Sequence, residues 1–136
     1  MKQLKQYLKT TGKVFILVAT FSTSIMAMDV ASYYDIDIKS MQISIEGSKK
    51  VLSLLQSGAP LQEQYAVDDE LQANLRRLFA SVSSTPSKHA GFFMQHQKEV
   101  QDFYENDTTL QEQYAQLKET LETINKQIQI TREEQK

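Results

Sequence analysis

Near the end of the sequence, Leu110, Tyr114, Leu117, Leu121, Ile124 and Ile128 follow one another at spacings of 4-3-4-3-4. A heptad seam of this kind lays all six side chains along one stripe of an α-helix. No Gly or Pro interrupts it. Thr108 with Gln111 has capping-box spacing, and Asn106 or Asp107 offers an alternative cap. The spacing predicts a helix over 108–131 whose apolar stripe must be covered, by the rest of the chain or by a partner.

Three more segments carry helical periodicity. Leu71, Leu75, Leu78, Phe79 and Val82 share one face behind the breaker Ser57-Gly58-Ala59-Pro60, so a helix starts either at Leu61 or afresh at Asp68 and runs to 82. After the loop 83–87, with Ser87 as a natural N-cap, Phe92, His96, Val100 and Phe103 form a stripe that predicts one helix to about 105. Over 30–57, Tyr34, Ile38, Met41, Ile45, Leu52 and Leu55 fit a seam with Ser48 in the missing place. The same stretch also alternates as Tyr34, Ile36, Ile38 and Met41, Ile43, Ile45, which would suit a strand. Helix is preferred, because no second strand is available for pairing and an isolated hairpin is marginal in water.

The expected fold is therefore all-α: an antiparallel bundle of four helices joined by short connections, occupying residues 28–136 as a single domain. An internal echo bears on its origin. Leu61-Gln62-Glu63-Gln64-Tyr65-Ala66 recurs as Leu110-Gln111-Glu112-Gln113-Tyr114-Ala115. Two αα-hairpins, the second a diverged copy of the first, would produce it, and so would a Gln/Glu-rich helical bias.

Residues 1–27 read as a secretory signal peptide. Lys2, Lys5, Lys9 and Lys13 make a positive n-region, Val14–Phe21 a short apolar core, and Ile25 and Ala27 the −3 and −1 positions of a cleavage site. The alternative is an inner-membrane anchor over residues 14–28, though a spanning helix wants about 20 apolar residues. Export implies the periplasm or the cell exterior. Removal of the segment takes four basic residues and no acid, leaving 11 basic against 17 acidic side chains. An acidic chain is a poor match for nucleic acid or anionic lipid, whose phosphates call for Lys and Arg. Contact with the membrane is expected only through an uncleaved signal segment.

Chemistry-bearing motifs are sparse. There is no Cys, hence no disulfide framework, thiolate metal site or thiol nucleophile. His89 and His96 are the two histidines; seven residues apart on a helix they stand about 10.5 Å from each other, too far to share a metal ion. Neither follows a Glu at the Glu-x-x-His spacing of di-iron bundles. Asp102, Glu105, Asp107 and Glu112 lack EF-hand spacing and suit capping and solvation. Asn106-Asp107-Thr108 forms a glycosylation sequon that also serves as a helix cap, and no G-x-S-x-G elbow is present.

Two functional expectations follow. The first is a non-enzymatic protein-binding module of the bacterial envelope, of adaptor, chaperone, inhibitor or immunity type, meeting a protein partner or a second copy of itself. Tyr65, Tyr114, Leu117, Leu121, Ile124 and Ile128 are its contact residues, on coiled-coil-like surfaces rich in Gln. It needs no cofactor. The alternative is a haem-binding bundle with His96 as axial ligand and Met41 or Met94 opposite, against the plainer reading of His96 as a core histidine.

Overall fold

The computed structural model describes residues 28–136, and every regular element among them is helical. The segment expected to be a signal peptide, and with it the cleavage site and the alternative anchor, lies outside the described residues apart from Met28. Five helices follow in order: α1 Val30–Gln56, α2 Leu61–Ser81, α3 Pro86–Gln95, α4 Gln97–Glu105 and α5 Thr108–Glu134. No helix among the described residues is long and apolar enough to cross a membrane.

Helix boundaries are set by local chemistry. Asp29 opens α1, its carboxylate accepting from the Ser32 amide at 2.8 Å. Gly58, at φ 71°, turns the chain out of α1, with its own amide and that of Ala59 bonded to the carbonyls of Leu55 and Leu54. Pro60 then leads α2, which runs unbroken from Leu61 past Asp68. Thr85, rather than Ser87, caps α3, because Pro86 occupies the first helical position and needs no amide partner. Asp107 caps α5 through the Leu110 amide at 2.9 Å, and the Gln111 side-chain Nε2 donates to the Tyr104 carbonyl at the end of α4.

The expected third helix is two helices. At His96 the backbone turns to φ −126°, ψ 31°, and its amide is shared between the carbonyls of Phe92 and Phe93. The break lets one apolar stripe wrap around the base of α1. Phe92 and Phe93 from α3 meet the Tyr33 ring, whereas Val100 and Phe103 from α4 meet Tyr34. A straight helix would carry the second pair away from α1.

Helix α1 is the spine; α2 and α5 each pack extensively along it. It carries two apolar stripes. Residues two apart on a helix differ by about 200° in direction, so the alternation Tyr34-Ile36-Ile38 and Met41-Ile43-Ile45 places one set toward α5 and the other toward α2. On the α2 side, Ile36 is only 2% exposed, and Gly47 lets Leu71 approach so closely that an added Cβ would lie 3.3 Å from its Cδ1. On the α5 side, Ile45 and Leu55 are buried with Ile124 and Ile128, and Val51, Leu52, Leu117 and Leu121 close around them. The strand-like pattern is thus the signature of a helix covered on two sides.

The antiparallel expectation holds for α1 and α2 and fails for α1 and α5. Contacts between α1 and α5 advance along both helices together: Asp37 with Tyr114, Ser48 with Asn125, Leu55 with Gln135. The pair is parallel. A constant offset of 76 carries Tyr34, Ile38, Met41, Ile45, Ser48 and Leu52 onto Leu110, Tyr114, Leu117, Leu121, Ile124 and Ile128, so the two heptad seams face each other layer by layer. Helix α2 has already brought the chain back to the end where α1 began, and the short α3–α4 pair makes the parallel pairing possible by crossing that base, from His89 on Tyr33 to Val100 beside Tyr34, before α5 starts.

Truncating Ile128 to Ala is expected to cost about 2–5 kcal/mol, read as a lowered urea midpoint at unchanged slope. Direction has its own test, aided by the absence of native Cys. Because the Ser48 Oγ lies 3.3 Å from the Asn125 Oδ1, Ser48→Cys combined with Asn125→Cys is expected to form an intramolecular disulfide under mild oxidation. An antiparallel α1–α5 pair would give none.

Candidate functional site

Two recesses among the described residues bear on function. One runs between α1 and α2, about 350 Å³ in volume, with Ile43, Gly47, Leu71 and Leu78 on its floor. Lys50 spans its rim, its ammonium donating to both carboxylate oxygens of Glu70 at 2.9 and 3.0 Å. That pair is solvent-exposed and adds little stability.

The other recess, about 440 Å³, lies at the base of α1 where α1, α3, α4 and α5 converge. Tyr33, Tyr34, Tyr104 and Tyr114 line it together with Phe93 and Asp37. The rings brace one another edge to face: Tyr33 on Tyr34 at 5.3 Å between centroids, and Tyr114 on both Tyr34 and Tyr104 at 5.8 Å. The hydroxyls are engaged as well. Tyr34 donates to the Val100 carbonyl at 2.6 Å, and Tyr114 donates to the Asp37 carboxylate. Burial is the main cause that raises the Tyr33, Tyr34 and Tyr114 phenols above their ordinary value, Tyr34 to about 12; in Tyr114 the hydrogen bond to Asp37 adds to it. These phenols stay neutral through the physiological range.

The residues singled out from the sequence divide between these regions and elsewhere. Ile124 and Ile128 are buried against α1, and Leu117 and Leu121 are half-buried beside them, so the seam is covered from within the chain. Tyr114 belongs to the basal recess. Tyr65, at 61% exposure, stands free on α2 near Leu61, itself 53% exposed. The two copies of the repeated hexapeptide therefore meet different surroundings: Tyr65 faces outward, whereas its counterpart Tyr114 is tied to Asp37. His96 sits at the α3–α4 break, its ring stacked on Phe92 at 4.4 Å and its Nδ1 3.1 Å from a Glu99 carboxylate oxygen. Met94 is exposed. His89 stacks on Tyr33 with ring centroids 4.2 Å apart and places Nε2 3.1 Å from the Tyr33 carbonyl.

Asp37 went unread in the sequence, where it is one of several acids in α1 and belongs to no motif. Only the register of α1 against α5 brings it to Tyr114. Among the described residues the buried core is apolar apart from the Tyr34 hydroxyl, and no group of three His, Cys, Asp or Glu is placed to hold a metal ion. Comparison with protein-family models, curated proteins and solved structures gave no match, so the geometry of these residues carries the functional argument by itself.

The raised phenols give stability a definite pH dependence. An unfolded chain releases tyrosine protons near pH 10, whereas the folded chain holds them to higher pH. Their contribution is complete below pH 10 and declines as pH rises through the folded values, about 12 for Tyr34. Helical circular dichroism is expected to be lost in the same alkaline step in which Tyr33, Tyr34 and Tyr114 ionise. Full ionisation of these tyrosines with the helices intact would contradict the packing described.

Proposed function

We propose that this chain is a small exported, non-enzymatic binding protein that holds a protein partner on the exposed face of α2. The observation that carries the reading is the one-sided packing of α2. It packs on α1, buries Phe79 near its end, and leaves Leu61 and Tyr65 in solvent at its start. An exposed tyrosine is the kind of anchor on which binding energy concentrates, and Leu61 adds apolar area beside it. Glu63, Asp68 and Asp69 lie close to it in sequence, with no basic residue between 61 and 70, while Glu70 is already paired with Lys50. Charge complementarity favours a partner that offers an apolar pocket with a basic rim. The seam of α5, covered by α1, is left to stability.

The reading of His96 as a haem ligand draws no support from its position at a surface break, beside a carboxylate and against Phe92.

Tyr65→Ala and Leu61→Ser alter exposed positions, and both are expected to leave the melting temperature within a degree or two of wild type. Each is expected to abolish recovery of a stoichiometric protein partner from envelope extract, and a photo-crosslinker at position 65 is expected to capture that same protein. Retention of the partner by Tyr65→Ala, or the absence of any partner, would overturn the reading. A Soret band on the purified protein that disappears in His96→Ala would replace it.

A further inference from the structure

We infer that the recess at the base of α1 binds a small alkylated ammonium ion, with Asp37 as counter-charge and the surrounding tyrosines as the cage. The site stands apart from the α2 surface, since Tyr65 lies near the opposite end of α1, and neither proposal depends on the other.

The first support is charge. Asp37 is half-buried on the recess wall, and its recorded partner is the neutral Tyr114 hydroxyl. None of the ion pairs among the described residues includes it: those join Lys39 to Asp35, Lys49 to Glu46, Lys50 to Glu70, His96 to Glu99 and Lys98 to Asp102. A carboxylate accepts at about four lone-pair positions, so one phenol leaves it with unused capacity. The lining contains no cation. Its remaining polar side chains, Gln97 and Gln101, are neutral.

The second support is the rings. Five aromatic side chains line the same recess as that carboxylate. Aromatic faces carry negative electrostatic potential and attract a cation whose centre comes within about 6 Å of the ring centroid. A ring face that meets the recess adds to the field of the carboxylate, and an anionic ligand is opposed by Asp37 itself. A bare divalent ion calls for about six oxygen ligands and favours several carboxylates, whereas Asp37 is the one carboxylate in this lining. An ammonium bearing methyl groups sheds a weaker hydration shell and offers apolar contact to the rings. The recess volume of about 440 Å³ accommodates a group of that size. Edge-to-face bracing fixes the rings before a ligand arrives, which limits the ordering cost of binding.

The probe is choline, titrated calorimetrically into the purified protein, with 3,3-dimethylbutan-1-ol as its neutral isostere. Choline is expected to bind and the isostere to bind about tenfold more weakly or undetectably, since the two differ in charge and little in shape. Asp37→Asn, checked for wild-type circular dichroism, is expected to lower choline affinity about tenfold. Gln97→Lys is the companion variant: position 97 is exposed, so folding is spared, and it lines the same recess as Asp37, so the new ammonium is expected to compete with the ligand. Choline binding is expected to be lost in it. A trimethyllysine peptide compared with choline tells a protein-borne ammonium from a free one, according to which binds more tightly. Equal binding of the isostere and choline would show an apolar dent with no charge recognition. That result, undiminished choline binding in Gln97→Lys, or no binding of either ammonium at millimolar concentration would overturn the assignment.

Discussion

The parallel contact between α1 and α5 is the interaction on which the rest of the structure depends. It joins the clearest heptad seam in the sequence to the less obvious one in α1 and encloses Ile45, Leu55, Ile124 and Ile128. It also fixes the register that brings Tyr114 to Asp37 and Asn125 to Ser48. The other elements answer to it. Helix α2 covers the opposite stripe of α1, and the α3–α4 pair is the crossing piece that parallel helices require.

Most of the secondary structure was legible in periodicity. Leu110 to Ile128 reads as helix without ambiguity, and Leu71, Leu75, Leu78 and Phe79 mark the face of α2. The alternation of Tyr34, Ile36 and Ile38 was harder to read, because a helix apolar on two sides and a strand apolar on two sides produce similar short patterns. The want of a second strand to pair with decided correctly for helix. Direction was not legible, since short connections favour antiparallel neighbours and the decisive turn at His96 uses neither Gly nor Pro. A histidine shared between two helices leaves a continuous apolar stripe behind it, and the stripe conceals the break.

The candidate sites show the same division. Tyr65 could be picked out as an aromatic on a polar helix, and it is exposed as such a residue should be. Tyr114, its repeat counterpart, had been placed with the seam leucines, yet its hydroxyl sets its role. Aromatic spacing along the chain hints at a ring cluster in α3 and α4, but assembling it with Asp37 depends on contacts across 77 residues. Local pattern cannot supply a relation of that length. Glutamine shows a milder version: the sequence reads as helix surfaces rich in Gln, whereas the side chains of Gln111 and Gln135 bond the carbonyls of Tyr104 and Leu55, near the ends of α4 and α1.

The pairing of the earliest described helix with the latest has a temporal consequence. During synthesis from the N-terminus, the stripe of α1 that faces α5 emerges with nothing yet made to cover it. Helix α2 can dock at once as a local hairpin, but the other half of the core must wait until some fifty further residues have emerged. Loop-closure entropy must be met before those distant contacts form, and folds governed by such contacts assemble more slowly than local hairpins. The nascent chain therefore passes through a two-helix stage with a greasy flank open to water. Its final helix acts as the latch that ends that vulnerable interval.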